Sequence, residues 1–353
     1  MNDITIGGRL VGEGHPSFVI AELSANHNHD LGRAIESIDA AAESGADAIK
    51  LQTYTADTIT IDSDAEPFQV KGGTAWDGMT LYSLYQQAYT PWEWHAELFE
   101  RARHKGLVYL SSPFDKTAVD FLEELNVPAF KVASMEIVDL PLISDIAGRG
   151  KPVIISTGIA TADEIGAAVT TCREAGNDDI ILLQCTSGYP TPLDQLNLRT
   201  IPDLRSRFGA LVGLSDHTMT HTAVAVGTSL GSCVIEKHFT LDRGAGGPDS
   251  TFSLEPHEFA EMVRTVRDVE TALGEVTYEL APSARVSRQH ARSLFVVADV
   301  KAGDVVGPDN VRSIRPADGL PPADLPQVLG RTFAQDAAFG TPLAWDLLEQ
   351  PSA

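Results

Sequence analysis

The chain has 353 residues, and 26 lysines and arginines against 49 aspartates and glutamates leave it a formal charge of −23. That acidity argues against a nucleic-acid partner, which takes a basic surface, and no apolar run approaches the ~20 residues of a membrane span. A composition of 43% hydrophobic and 21% charged residues describes an ordinary folded protein, long enough for two domains or for one large barrel with an appendage.

Residues 1–14 show no basic stretch followed by an apolar core, so no export leader is expected. A strand is predicted over 17–22. From there one phrase repeats: an amphipathic helical stretch, a glycine or asparagine stop, a short apolar run, then a polar cluster. The apolar runs fall within 43–53, 103–112, 124–134, 148–157, 174–187, 207–218 and 230–239. Continuous runs such as Val153, Ile154 and Ile155 suit strands buried on both faces. Eight strands alternating with helices over ~270 residues predict a (β/α)8 barrel. A doubly wound sheet would place a glycine-rich phosphate loop after its first strand, and here that position reads Glu22, Leu23, Ser24, Ala25, Asn26.

Residues 54–92 interrupt the rhythm after the second strand, with Trp76, Tyr82, Tyr85, Tyr89, Trp92 and Trp94 in or just past the insertion. Such a segment is either a functional wall or lid, or aromatic packing on the barrel rim. Cys172, Cys185 and Cys233 are widely spaced, as buried thiols of a reducing compartment are. After about Gly274 the alternation stops. The expected division is a barrel domain over 1–281, a linker over 282–289 and a small, mainly β domain over 290–353 that docks on the barrel or on a second subunit.

Functional residues of a barrel gather at the C-terminal ends of its strands. In order these ends offer Glu22; Lys50 and Gln52; Ser111 and Ser112; Lys131, Ser134 and Glu136; Ser156; Tyr189; Ser215 and His217; and Glu236, Lys237 and His238. Three of the chain's eight lysines sit here. Lysines with serines on several strands of one rim describe an anion pocket for phosphate or carboxylate, with Lys50, Ser112, Lys131, Ser134, Ser156 and Ser215 as its candidates. His217 and His238, on the last two strands, are either ligands of a divalent ion or hydrogen-bonded structural residues. Glu22 is placed to orient water or to move a proton. Two other classes remain open: an aldolase with Lys131 as Schiff base, and a non-catalytic carbohydrate-binding protein.

The segments 20–27 (IAELSANH), 48–53 (AIKLQT), 111–114 (SSPF), 130–136 (FKVASME), 156–158 (STG), 213–218 (GLSDHT) and 235–239 (IEKHF) resemble the sialic acid synthases. Residues 288–350, with 291–294 (ARSL) and Arg315, are similar to the antifreeze-like (SAF) domain that those enzymes carry. Within the family, 71–73 (KGG), 76–77 (WD), 81–85 (LYSLY), 90–94 (TPWEW), 252–254 (FSL) and 319–321 (GLP) resemble the branch that uses 2,4-diacetamido-2,4,6-trideoxy-L-altrose. The resemblance implies condensation of this sugar with phosphoenolpyruvate, giving a nine-carbon acid and phosphate by metal-assisted aldol-type addition with C–O cleavage. Synthesis of N-acetylneuraminate or legionaminic acid is the near alternative.

By the same resemblance the six lysines and serines above hold phosphoenolpyruvate. His217 and His238 bind a divalent metal, Mn2+ or else Mg2+ or Co2+, and are catalytic together with Glu22. Gln52, Glu136, Tyr189, Asp249 and Arg315 line the sugar side, Arg315 arriving across a domain-swapped homodimer. A cytoplasmic location is expected, because phosphoenolpyruvate is an intracellular metabolite. Two departures stand out: Ser112 where the family commonly has threonine, and Ser187 with Gly188 where an asparagine-containing pair is usual.

Overall fold

The computed structural model describes residues 2–71 and 76–350. It divides into two units, 1–274 and 275–353. The first opens with a hairpin that the sequence reading did not anticipate, β1 (Ile4–Ile6) and β2 (Arg9–Val11). Gly7 and Gly8 both have positive φ, as a two-residue hairpin turn requires.

The eight expected strands follow as β3 (Phe18–Glu22), β4 (Ala48–Thr53), β5 (Val108–Pro113), β6 (Phe130–Val132), β7 (Val153–Ser156), β8 (Ile180–Cys185), β9 (Leu211–Asp216) and β10 (Val234–His238). They form one closed parallel barrel, with β10 pairing back on β3. Helices between them include α1 (Leu31–Glu43), α2 (Ala56–Ile59), α3 (Leu81–Ala88), α4 (His95–His104), α5 (Lys116–Glu124), α6 (Leu140–Ala147), α7 (Ala162–Glu174), α8 (Thr200–Phe208) and α9 (Thr222–Ser229), and α10 (Pro256–Leu273) follows β10. Side-chain oxygens start several of them: Asp30 accepts from Arg33 N, Asp115 from Ala118 N, and Thr161 forms a capping box with Glu164.

Alternation along each strand separates two cores. Outward residues such as Val19, Ile49, Val132, Val212 and Ile235 pack under the helices. Inward residues Phe18, Ile20, Ala48, Leu110, Ile154, Ile181, Leu183 and Val234 fill the barrel, and Ile4, Ile6 and Val11 of the hairpin join that cluster. Gly213 belongs to the inner layer, where a Cβ would collide with the Val234 carbonyl oxygen and lie 2.6 Å from Leu183 Cδ2. Gly213→Ala is therefore expected to cost about 1–3 kcal/mol, read as a lower denaturant midpoint at unchanged slope. An unaltered midpoint would mean that the barrel accommodates the methyl group.

The second unit begins with α11 (Pro282–Arg288), so the segment expected as linker holds a short helix, with Pro282 at its first position where proline costs no hydrogen bond. Beyond it, β11 (Ser293–Val296) pairs antiparallel with β12 (Val311–Ile314). Single bridges such as Val300 with Ala337 and Phe333 with Leu348 extend the mainly β character expected of this region. Its own core is Leu294, Val296, Val300, Val306, Val311, Phe333 and Leu343, among others.

Candidate active site

At the C-terminal rim the inward positions change from apolar to polar, two residues further along the same strands. Ile20 gives way to Glu22, Ala48 to Lys50 and Gln52, Leu110 to Ser112, Ile154 to Ser156, Gly213 to Ser215 and His217, and Val234 to Glu236 and His238. Barrel register sets Glu22 opposite Lys50 and Ser215 opposite Glu236 on neighbouring strands. Of the expected site residues, all but Ser112 and Arg315 line one cavity of about 380 Å³. Ser112 lies beside it, accepting from Lys50 Nζ at 3.4 Å. Arg315 is an exposed residue of the second unit, just past β12.

Lys50, Lys131, Glu22 and Glu236 are each at most 5% exposed. Buried charges are held by partners or not at all. Lys50 Nζ lies 2.6 Å from Glu22 Oε2 and 3.8 Å from Glu236 Oε1. Glu236 also accepts from Ser215 Oγ at 3.2 Å. Lys131 is held by uncharged groups: its Nζ donates to Ser156 Oγ at 2.7 Å and to the Val132 carbonyl at 2.9 Å. From Glu22 a polar chain runs outward. Gln52 Nε2 donates to Glu22 Oε1 at 2.9 Å and to Ser24 Oγ at 3.0 Å, and Ser24 donates to Asp249.

Burial shifts these groups in ways their neighbours modulate. Desolvation pushes Glu22 up to about 7 despite Lys50. Burial opposes the Lys50 ammonium, but Glu22 and Glu236 outweigh it and hold its pKa above the usual value. Burial opposes the Glu236 carboxylate too, yet Lys131 and Lys50 hold it below the usual range. Lys131, lacking a contacting carboxylate partner, is lowered by burial. Desolvation raises Glu136 to about 7, and its Oε2 is buried without a hydrogen-bond partner.

The imidazoles of His217 and His238 stand on one wall with centroids 5.3 Å apart. His217 Nδ1 donates to the Thr186 carbonyl at 3.2 Å, which fixes its tautomer and directs its other nitrogen away from that bond. His238 Nδ1 is buried with no hydrogen-bond partner, and burial drives its pKa well below the usual value, keeping the ring neutral. Burial opposes a charged His217 as well, but Cys185 and the Thr186 carbonyl outweigh it and hold the His217 pKa above the usual value. Two imidazoles on one wall, one with an orphaned nitrogen, are a donor set that fits a divalent ion, which would bind them in their neutral form. Among the described residues they belong to no group of three or more His, Cys, Asp or Glu able to hold one, so the other ligands would have to be water or substrate oxygens.

Lys237, at a strand end but not among the anion-pocket candidates, sits on the outward face of β10 and pairs with Asp216 at 2.5 Å. Glu236, outside the expected site, turns inward, and the parity of β10, which puts residues 234, 236 and 238 on one face, is the signal for it. The aromatic insertion serves both of its readings. Trp76 and Tyr85 line the cavity, while Trp92 stacks on Phe121 at 4.8 Å and Trp94 packs edgewise on His27 at 5.7 Å. Gly72 and Gly73 of the 71–73 motif lie outside the described residues. All three cysteines are unpaired and buried, and Cys185 borders the cavity near Ser134.

Residues 37–278 match the NeuB family and residues 291–349 the SAF domain. The pseudaminic acid synthase of Campylobacter jejuni is 45% identical over 326 residues, 92% of this chain and 95% of its own. The N,N'-diacetyllegionaminic acid synthase of Legionella pneumophila is 35% identical over 339 residues, 94% of each chain. Among solved structures, the N-acetylneuraminic acid (sialic acid) synthetase of Leptospira borgpetersenii, in complex with citrate, aligns with a TM-score of 0.72 at 31% identity, covering 81% of this chain and 95% of that one.

Proposed function

The chain belongs to the NeuB family, and from that membership we propose that it is a pseudaminic acid synthase, condensing phosphoenolpyruvate with 2,4-diacetamido-2,4,6-trideoxy-L-altrose to give pseudaminate and phosphate. The observation that carries a synthase rather than a passive carbohydrate binder is the burial of two lysines beside four serines on one barrel rim. A protein that only binds neutral sugar has no use for cations buried at this cost. The acceptor is read from the higher identity to the pseudaminic acid synthase, 45% against 35% for the legionaminic acid enzyme.

In this reading Lys131, Ser134 and Ser156 form one anchor for the doubly charged substrate, and Lys50, Ser112 and Ser215 the other. Holding both its anionic groups aligns C3 of the enol with C1 of the open-chain sugar. Water then adds at C2, and phosphate leaves with the bridging oxygen. Glu22, fixed by Lys50 and Gln52, is placed to take the proton of that water at its carboxylate. A divalent ion held by His217 and His238, Mn2+ or else Mg2+ or Co2+, would supply Lewis acidity toward the acceptor carbonyl. Gln52, Glu136, Tyr189 and Asp249 face the sugar. Arg315 belongs to the same proposal through a domain-swapped homodimer, in which it would act on sugar bound in the partner subunit's barrel. A cytoplasmic location follows from the use of phosphoenolpyruvate, and among the described residues no helix is long and apolar enough to cross a membrane.

The test is phosphate release with a panel of acceptors, run with 18O in the bridging position of phosphoenolpyruvate. The altrose derivative should give the highest kcat/KM and the label should end in phosphate. Faster turnover of N-acetylmannosamine or of the legionaminic acid precursor would reassign the acceptor. Label retained in the sugar acid would exclude C–O cleavage.

A further inference from the structure

The cavity's lining is of two kinds. The barrel strands contribute the buried charges and hydroxyls. The insertion after β4 contributes Val70, Trp76, Leu81, Leu84, Tyr85 and Ala88, none of them charged. Four of these sit at i, i+3, i+4 and i+7 of α3, so a single helical face is turned to the cavity. Thr80 caps that helix by accepting from Ser83 N at 3.1 Å. Trp76 is fixed from two directions: its Nε1 donates to the Pro248 carbonyl at 2.9 Å, and its ring stands 5.8 Å from Tyr189 and 6.4 Å from Phe252.

An apolar helical stripe normally packs into a core. Here it lines a cavity whose strand-borne lining is charged and polar, and an apolar face of this kind is matched by an apolar occupant. We propose that this α3 wall is the specificity determinant for the sugar's carbon-6 methyl group, an inference that rests on the acceptor reading above. A hydroxymethyl group in its place would bury an oxygen against Leu81 and Leu84, which offer it no hydrogen bond. Apolar pockets discriminate against an added hydroxyl by up to ~100-fold, which bounds the selectivity to be expected. Glu136, with its buried and unpartnered Oε2, lines the same cavity, and it is placed to accept an acetamide N–H.

The experiment measures kcat/KM by phosphate release for two acceptors that differ only at carbon 6: the 6-deoxy altrose derivative and its 6-hydroxy counterpart. The wild type should prefer the deoxy sugar by ~10–100-fold. Leu81→Ser, at a half-buried position, should cut that preference at least fivefold while leaving KM for phosphoenolpyruvate unchanged. Leu84→Ser, more deeply buried, should do the same if it folds, and Leu81→Ser decides the matter if it does not. A wild-type ratio near one, or an undiminished ratio in an active Leu81→Ser enzyme, overturns the wall as determinant and leaves the synthase reading standing. Turnover of N-acetylmannosamine with neither diacetamido sugar accepted overturns both.

Discussion

Lys131→Met is expected to lower kcat/KM for phosphate release by ~10³, in the range seen when one preorganised charge-stabilising donor is removed. The two site lysines are not equivalent. Lys50 already has Glu22 at 2.6 Å, so much of its charge is satisfied before substrate arrives. Lys131 donates only to a serine hydroxyl and a backbone carbonyl, and burial lowers its pKa. An incoming phosphate or carboxylate therefore gains more from Lys131 than from Lys50. The same substitution leaves Glu236 without the largest of the opposing charges that hold it ionised, so a loss of stability is expected as well. Adding Glu236→Gln should recover most of the stability, read from the denaturant midpoint, and none of the activity. Recovery of activity in the double variant would show that Lys131 acts only as a structural counter-ion. A lysine of lowered pKa also suits imine formation. No covalent adduct is expected after borohydride treatment with substrate, and a trapped adduct at Lys131 would move the enzyme to the aldolase class.

The barrel was legible because each strand is a short apolar run ended by polar residues, a pattern that repeats at helix-plus-strand intervals. The site was legible for the same reason: polarity at a strand's C-terminal end is unusual in a buried parallel sheet, and Lys50, Lys131, Ser156, Ser215, His217 and His238 all break the apolar pattern there. Proximity to a strand end does not say which way a side chain points. Lys237 and Glu236 are adjacent in sequence and face opposite sides of β10, and only counting by twos from Val234 separates them. The hairpin escaped notice because three-residue strands carry almost no periodicity, although the Gly7, Gly8 pair is a turn signal. The α3 wall is harder still. Its i, i+3, i+4, i+7 stripe reads as core from sequence, and only the folded chain sets that stripe on a cavity also lined by Lys50, Lys131 and Glu22. Arg315 belongs to another unit, and no pattern within one chain joins it to the barrel.

Either His217→Ala or His238→Ala is expected to reduce turnover to background, as is exhaustive chelation of the wild type. The expectation starts from cost. His238 buries a ring nitrogen with no hydrogen-bond partner, a loss of about 1–3 kcal/mol that a folded protein rarely leaves uncompensated. His217, 5.3 Å away between centroids, has one nitrogen committed to the Thr186 carbonyl, so the pair presents two oriented imidazoles to a cavity also lined by Glu22 and Glu236. A purely structural pair would find a partner for every ring nitrogen, an acceptor for the protonated one and a donor for the other. Binding separates the two accounts without reference to activity. Titration of free Mn2+ followed by electron paramagnetic resonance should show one tight site per chain in the wild type and none in either alanine variant. Thermal midpoints should rise with Mn2+ in the wild type alone, since a ligand that binds only the native state stabilises it by mass action. Full activity in metal-free protein, or an intact Mn2+ site in both alanine variants, would return these residues to a structural role and leave the carbonyl to be polarised by the lysines alone.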